Sequence, residues 1–280
     1  MRRVLLLFLL ILIAFLMACG TGKVDLQQPE ATAEPTAVAT AEPIDFVLVE
    51  TPTPVPVTPT PSPEPTPTPD PYTGGMEMTV IREGFYYVDL NDHLKERISG
   101  LSYPSNPKSC LVPYEDLRYL RILYYDFSGE EHVGELIVHR ELAEDVLEIF
   151  SELYDIRYPL TSVRLVDDFG EKADDTKSME ADNTSSFCYR KVTGVEKLSR
   201  HSYGAAIDIN PRENPYIRKD GTVSPSNSEP YVDRSKTFDG KIDKKDMCYK
   251  IFIKHGWNWG GDFKKEKDYQ HFSKEIETEY

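Results

Sequence analysis

Thirteen of the chain's 21 prolines lie between Pro29 and Pro71. Proline donates no backbone hydrogen bond and fixes its own φ, so this stretch can form neither helix nor sheet. Its last part, Thr51 to Pro71, reads TPTPVPVTPTPSPEPTPTPDP. A near Thr-Pro repeat of this kind favours extended polyproline II, at about 3.1 Å per residue, so it spans about 65 Å. Residues 20–78 are therefore expected to be a disordered or stiffly extended Pro/Thr-rich tether. The folded part of the 280 residues is confined to 79–280, enough for one domain with a real core. A formal charge of −15 argues against nucleic acid as a partner, because phosphate binding needs clustered Lys and Arg. It also gives no electrostatic reason to lie on an anionic lipid surface.

The tether is preceded by an address. Met1-Arg2-Arg3 is a positive start, and Val4 to Ala18 carries no charge. That run is short of the roughly 20 apolar residues of a permanent membrane span and fits a secretory signal. Leu16-Met17-Ala18-Cys19-Gly20 resembles a bacterial lipobox. The expectation is a lipoprotein signal over 1–19, with Cys19 lipidated and anchoring the chain to the membrane. The other reading is an uncleaved anchor with an incidental Cys. Both place the rest outside the cytoplasm, and a lipid followed by a stiff tether points to the cell wall.

In the folded part, Leu117–Phe127 and His132–Val138 read as two strands around a Ser128-Gly129-Glu130 turn. Leu142, Val146, Ile149, Phe150 and Leu153 mark one apolar face of a helix over 141–154. Ser162–Val166 reads as a short strand. Asp167–Asp182, with seven acidic residues in sixteen, reads as a solvated loop; the spacing of an EF-hand calcium site is absent. A second helix is expected over 243–255, capped by Asp243 and stopped by Gly256, with His255 structural at its end. His93, His132 and His139 show no partner pattern. Short strands, two helices and long loops predict an α+β fold, with a small antiparallel sheet and flanking helices.

Two segments carry chemistry. In Ser199-Arg200-His201-Ser202-Tyr203-Gly204-Ala205-Ala206-Ile207-Asp208-Ile209-Asn210, the run from Ala205 alternates as a strand. Ile207 and Ile209 would face the core and Asp208 the other side. A carboxylate so placed needs a partner, and a metal is one such partner. Gly204 permits a turn that brings His201 back toward Asp208. The second segment, Trp257-Asn258-Trp259-Gly260-Gly261-Asp262-Phe263 and then Asp268-Tyr269-Gln270-His271-Phe272, adds another His and a carboxylate. Two His and one Asp have the right hardness for Zn2+ and leave a fourth position for water. Trp257 and Trp259 are expected to pack in the core.

The pattern S-x-H-x-x-G-x-A-x-D, followed by W-x-W-G-G-D-F and D-x-x-H, resembles the zinc D-alanyl-D-alanine carboxypeptidase and L-alanyl-D-glutamate endopeptidase family, which includes VanY-like and endolysin-like peptidoglycan peptidases. The motif core runs over 182–272. The resemblance implies that His201, Asp208 and His271 hold zinc and that Asp268 is the general base. It further implies that Arg190 stabilises the oxyanion and that Ser199 helps hold the substrate. Relatives often carry Glu as the base, and Asp268 is shorter. The implied function is hydrolysis of peptidoglycan stem peptides by a monomeric enzyme; the alternative is a zinc-containing wall-binding module without turnover. For Arg190 the residues also allow an ion pair with the acidic loop. Pro211–Gly240 is expected to loop over the site. H-E-x-x-H zincins are excluded because the motif is absent. Cys110, Cys188 and Cys248 are three, so at least one is unpaired, and Cys188 is read as a buried free thiol.

Overall fold

The computed structural model describes residues 73–192 and 195–280; the expected signal, Cys19 and the tether up to residue 72 lie outside the described residues. The described chain opens on an antiparallel meander. Strands β1 (Thr79–Arg82) and β2 (Phe85–Asp89) form a hairpin. Helix α1 (Asp92–Ile98) follows, capped by the Asn91 side chain accepting from Leu94 N. Then come β3 (Leu117–Tyr125) and β4 (Glu131–His139), and the sheet order is β1-β2-β3-β4.

Alternation along β3 and β4 gives this sheet two apolar faces. Leu120, Ile122, Leu136 and Val138 pack on one side against α2 (Ala143–Asp155), whose Val146, Ile149, Phe150 and Leu153 are buried. Tyr119 and Ile137, direct register partners, face the other way onto Leu94 and Ile98 of α1 and onto Phe187. Register and periodicity agree because a one-residue slip would turn every apolar side chain to the wrong face.

The rest of the domain is short elements. Strand β5 (Ser162–Val163) pairs in parallel with β6 (Asn183–Thr184), and α3 (Asp175–Glu180) lies between them in sequence. Next come β7 (Ala206–Asp208), the hairpin β8 (Tyr216–Ile217) and β9 (Val223–Ser224), and α4 (Met247–Lys254). Finally β10 (Asn258–Trp259), β11 (Lys267–Asp268) and β12 (His271–Ser273) complete two three-stranded sheets, ordered β10-β12-β7 and β11-β8-β9. Gly204 locks the first of these to the meander. It sits at φ +63°, and a Cβ there would meet His139 N at 2.5 Å. Its carbonyl accepts from that same nitrogen at 2.9 Å. The fold is α+β, with small antiparallel sheets as expected.

Several expectations are corrected. The acidic stretch 167–182 is not only loop. Asp174 caps α3 by accepting from Thr176 N and Lys177 N, so an acid read as solvated charge starts a helix. The strand expected over 162–166 ends at Val163, because the Asn183 side chain takes both the N–H and the carbonyl of Arg164. The helix expected from Asp243 begins at Met247. Asp243 closes a preceding turn by accepting from Lys245 N, and Asp246 is the cap, accepting from Cys248 N and Tyr249 N. Segment 211–240 is not a plain loop, since it contains β8, β9 and a 3-10 turn at Ser226–Tyr231. Four α-helices are described where two were expected.

Candidate active site

In the β12–β7 pair, His271 lies directly opposite Asp208. Cross-strand partners stand close enough for their side chains to meet, and His271 Nδ1 is 3.0 Å from Asp208 Oδ1. His201 enters from the 3-10 turn Arg200–Tyr203, which Ser199 starts by accepting from His201 N and Gly204 ends in the left-handed region. His201 Nε2 lies 3.2 Å from Asp208 and 3.2 Å from His271 Nδ1. The turn expected at Gly204 therefore does bring His201 to Asp208, and all three side chains converge on one point.

Their state is set by what surrounds them. His201 Nδ1 donates to the Ser186 carbonyl at 2.6 Å, which turns Nε2 toward the other two groups. Burial works against ionising Asp208, yet His201 and His271 hold its pKa far below the ordinary carboxylate value. Burial likewise opposes protonation of His201, and the Asp208 charge outweighs it. One donor atom from each residue lies within 4.8 Å of the others. Tetrahedral zinc with Zn–N of about 2.0–2.1 Å spaces its ligand atoms by roughly 3.3 Å. The observed separations and the donor set of two imidazoles and a carboxylate fit that ion.

Around this point opens a cleft of about 790 Å³, lined also by Asp175, Arg190, Ser199, Tyr216, Arg218, Asp268 and Gln270. Asp268 stands on β11, three residues before His271. Gly260 makes room for it: a Cβ there would meet the Asp268 carbonyl at 2.5 Å. Burial raises the Asp268 pKa to about 6, and Asp208 pushes the same way. Its Oδ1 is buried without a hydrogen-bond partner, as are Arg190 Nε and Gln270 Oε1. Buried polar atoms are almost always satisfied. Three of the six such atoms among the described residues lie in the wall of this one cleft, where a bound group would answer them.

The structure thus brings Ser199, Arg190 and Asp268 to the cleft beside His201, Asp208 and His271. Arg190 lines the cleft and pairs with Asp175 of the acidic segment at 2.7 Å, the ion pair that the residues allowed. Sequence reasoning did not single out Asp175, Gln270 or the hairpin residues Tyr216 and Arg218. A run of acids was the only trace of Asp175. The remaining histidines are elsewhere: His93 is exposed, His132 meets Asp126, His139 meets the Tyr280 hydroxyl, and His255 meets Asp145 and Glu152. Trp257 and Trp259 are buried, as expected. Cys110, Cys188 and Cys248 are free, and burial pushes the Cys188 thiol up to about 12.

Residues 193–274 match the family model described as D-alanyl-D-alanine carboxypeptidase. The matched stretch contains His201, Asp208, Asp268 and His271. It supports a peptidase of that family in the broad sense, without choosing a branch. No curated protein and no solved structure matches the chain.

Proposed function

We propose that the chain is a zinc-dependent peptidase that hydrolyses peptide bonds in peptidoglycan stem peptides. One observation carries the reading: His201, Asp208 and His271 converge beside the Asp268 carboxylate, whose Oδ1 has no partner, inside a segment similar to a peptidase family. His201, Asp208 and His271 would hold a zinc ion, which would supply Lewis acidity and bring the pKa of water to about 7. Asp268, with a pKa of about 6, is ionised at neutral pH. It takes a proton from the attacking water and returns it to the leaving amine. Arg190, held by Asp175, faces the negative charge that develops on the scissile carbonyl oxygen. Ser199 offers a hydroxyl to the peptide from the same wall. Two bonds suit the reading, the internal L-Ala–D-Glu bond and the terminal D-Ala–D-Ala bond.

The working picture is a monomer held by a lipid on Cys19, with the 20–78 tether carrying the domain into the wall of a bacterium. No nucleic acid is involved. Cys19→Ala should abolish lipidation, read as the loss of acyl mass; an unmodified Cys19 behind an uncleaved Met1 would replace the lipid with a simple anchor. The central test incubates purified muropeptides with the full chain and zinc and follows the products by mass spectrometry. Loss of a terminal alanine, or scission after the first alanine, is the expected result. Unchanged muropeptides that nevertheless bind would make this a wall-binding module instead.

A further inference from the structure

The β8–β9 hairpin has no assigned role, yet it forms one wall of the cleft. Its position is set by β11, where Tyr216 lies directly opposite Asp268 and Ile217 opposite Lys267. Residues two apart on a strand share a face, so Arg218 continues the face that Tyr216 presents, and both line the cleft with Lys219. At about 3.3 Å per residue, the Arg218 backbone, one residue past the end of β8, stands roughly 7 Å from that of Tyr216, and the distance sets an outer limit for its reach from Asp268. That is the span of two residues of an extended peptide.

The Arg218 guanidinium lies 4.7 Å from the centre of the Tyr216 ring. A cation so stacked is preorganised and still has its N–H donors to offer. Its backbone is tied into the turn, with Arg218 N donating to Thr222 O and Gly221 N donating to Arg218 O, each at 2.9 Å. Asp220, the nearest acid in sequence, spends one carboxylate oxygen on Thr222 N and Oγ1. Glu266, on the same wall, acts on the Tyr216 hydroxyl, and burial together with that charge raises the Tyr216 pKa. The other cleft arginines carry their own counter-charges, Arg190 with Asp175 and Arg200 with Glu275. Arg218 forms no ion pair among the described residues, and neither does the exposed Lys219. Asp220 feels the Arg218 charge without pairing with it. In a chain of formal charge −15, two cations outside any ion pair on the cleft wall attract an anion that the rest of the surface repels.

We propose that Arg218, seconded by Lys219, is the specificity residue of the cleft and takes a carboxylate of the substrate peptide within two residues of the bond that is cut. This rests on the peptidase reading for the identity of the peptide. The carboxylate comes either from the peptide's C-terminus or from an internal acidic residue.

The test measures binding by calorimetry, with the full chain and three forms of an acidic stem pentapeptide: both carboxylates free, terminally amidated, and amidated at the internal glutamate. Turnover is followed in the same samples by mass spectrometry. The parent should bind the free peptide about tenfold more tightly than one of the two amides, the size of one charge-assisted hydrogen bond, and that amide identifies the source. Arg218→Gln should erase the preference without shifting the melting temperature, Arg218→Lys should restore part of it, and Lys219→Gln should reduce it. Equal binding of all three forms by the parent, or an unchanged preference in Arg218→Gln, overturns the proposal. Preference without cleavage upholds it and sinks the peptidase reading. Cleavage without preference does the reverse, and no binding of any form removes both.

Discussion

Two clusters of this domain are made of the same materials and do different things. In the cleft, His201 and His271 meet Asp208. On the outer side of α2, His255 meets Asp145 and Glu152 at 2.7 and 2.8 Å. The outer cluster brings its own cations and donors: Lys254 pairs with Glu152, while Lys274 and the Trp257 indole N–H both reach Asp145 Oδ2. Every group there is answered from within the chain. The cleft leaves Asp268 Oδ1, Arg190 Nε and Gln270 Oε1 unanswered beside open volume. Histidines and carboxylates within reach of one another are therefore a weak sign of chemistry. Unsatisfied partners around them are a strong one, since the fold bears the desolvation cost without recovering it internally.

The comparison breaks most sharply at the metal. His201→Ala should remove bound zinc and all peptide hydrolysis, whereas His255→Ala should leave zinc content at the parent level; metal analysis of the two purified variants decides this. Zinc that survives in His201→Ala would move the site elsewhere. Next in size is Asp268→Asn, which keeps the volume and removes the base. Hydrolysis should drop by about 10²–10⁴-fold with zinc retained, measured as muropeptide turnover alongside metal content. Loss of zinc in that variant would make Asp268 a ligand. Arg190→Ala should lower kcat by about 10²–10³-fold, the usual effect of deleting one oxyanion donor, with zinc retained.

The smallest effect belongs to the outer cluster. Burial alone would lower the His255 pKa, but Glu152 and Asp145 raise it above the ordinary imidazole value. The stability this contributes is fully present below the unfolded pKa of about 6.5 and is lost as pH rises through the raised folded pKa. His255→Ala should cost about 1–2 kcal/mol at pH 6 and flatten the pH dependence between neutral and mildly alkaline conditions, read by denaturant melts. An unchanged slope would mean that another group carries it.

Alternation made β3 and β4 legible, and the 3.6-residue period made α2 legible, because both patterns record which face is buried. The ends were less visible. Asp243 and Asp246 are equally good caps by residue type, and only the turn closed on Lys245 N decides between them. Helix α3 has a single buried apolar residue, Met179, besides Ser178, so it left no periodic trace. Cleft residues with a motif, His201, Asp208, Asp268 and His271, were visible at once. Gln270 and Arg218 carry no motif and became visible only through an orphaned amide oxygen and a strand register.

By itself, the sequence carried the expectation of a tether through the prolines of 29–71, which lie outside the described residues. It also determined which face of each long element is buried, and which three side chains have the hardness for one metal. These depend on local chemistry and periodicity. Only the tertiary structure decided that β12 pairs with β7 in the register that sets His271 against Asp208, that Asp175 reaches Arg190, and that the β8–β9 hairpin lies along β11. Those facts depend on strands of two or three residues, too short to carry a pattern, and held in register by the packing of the elements around them.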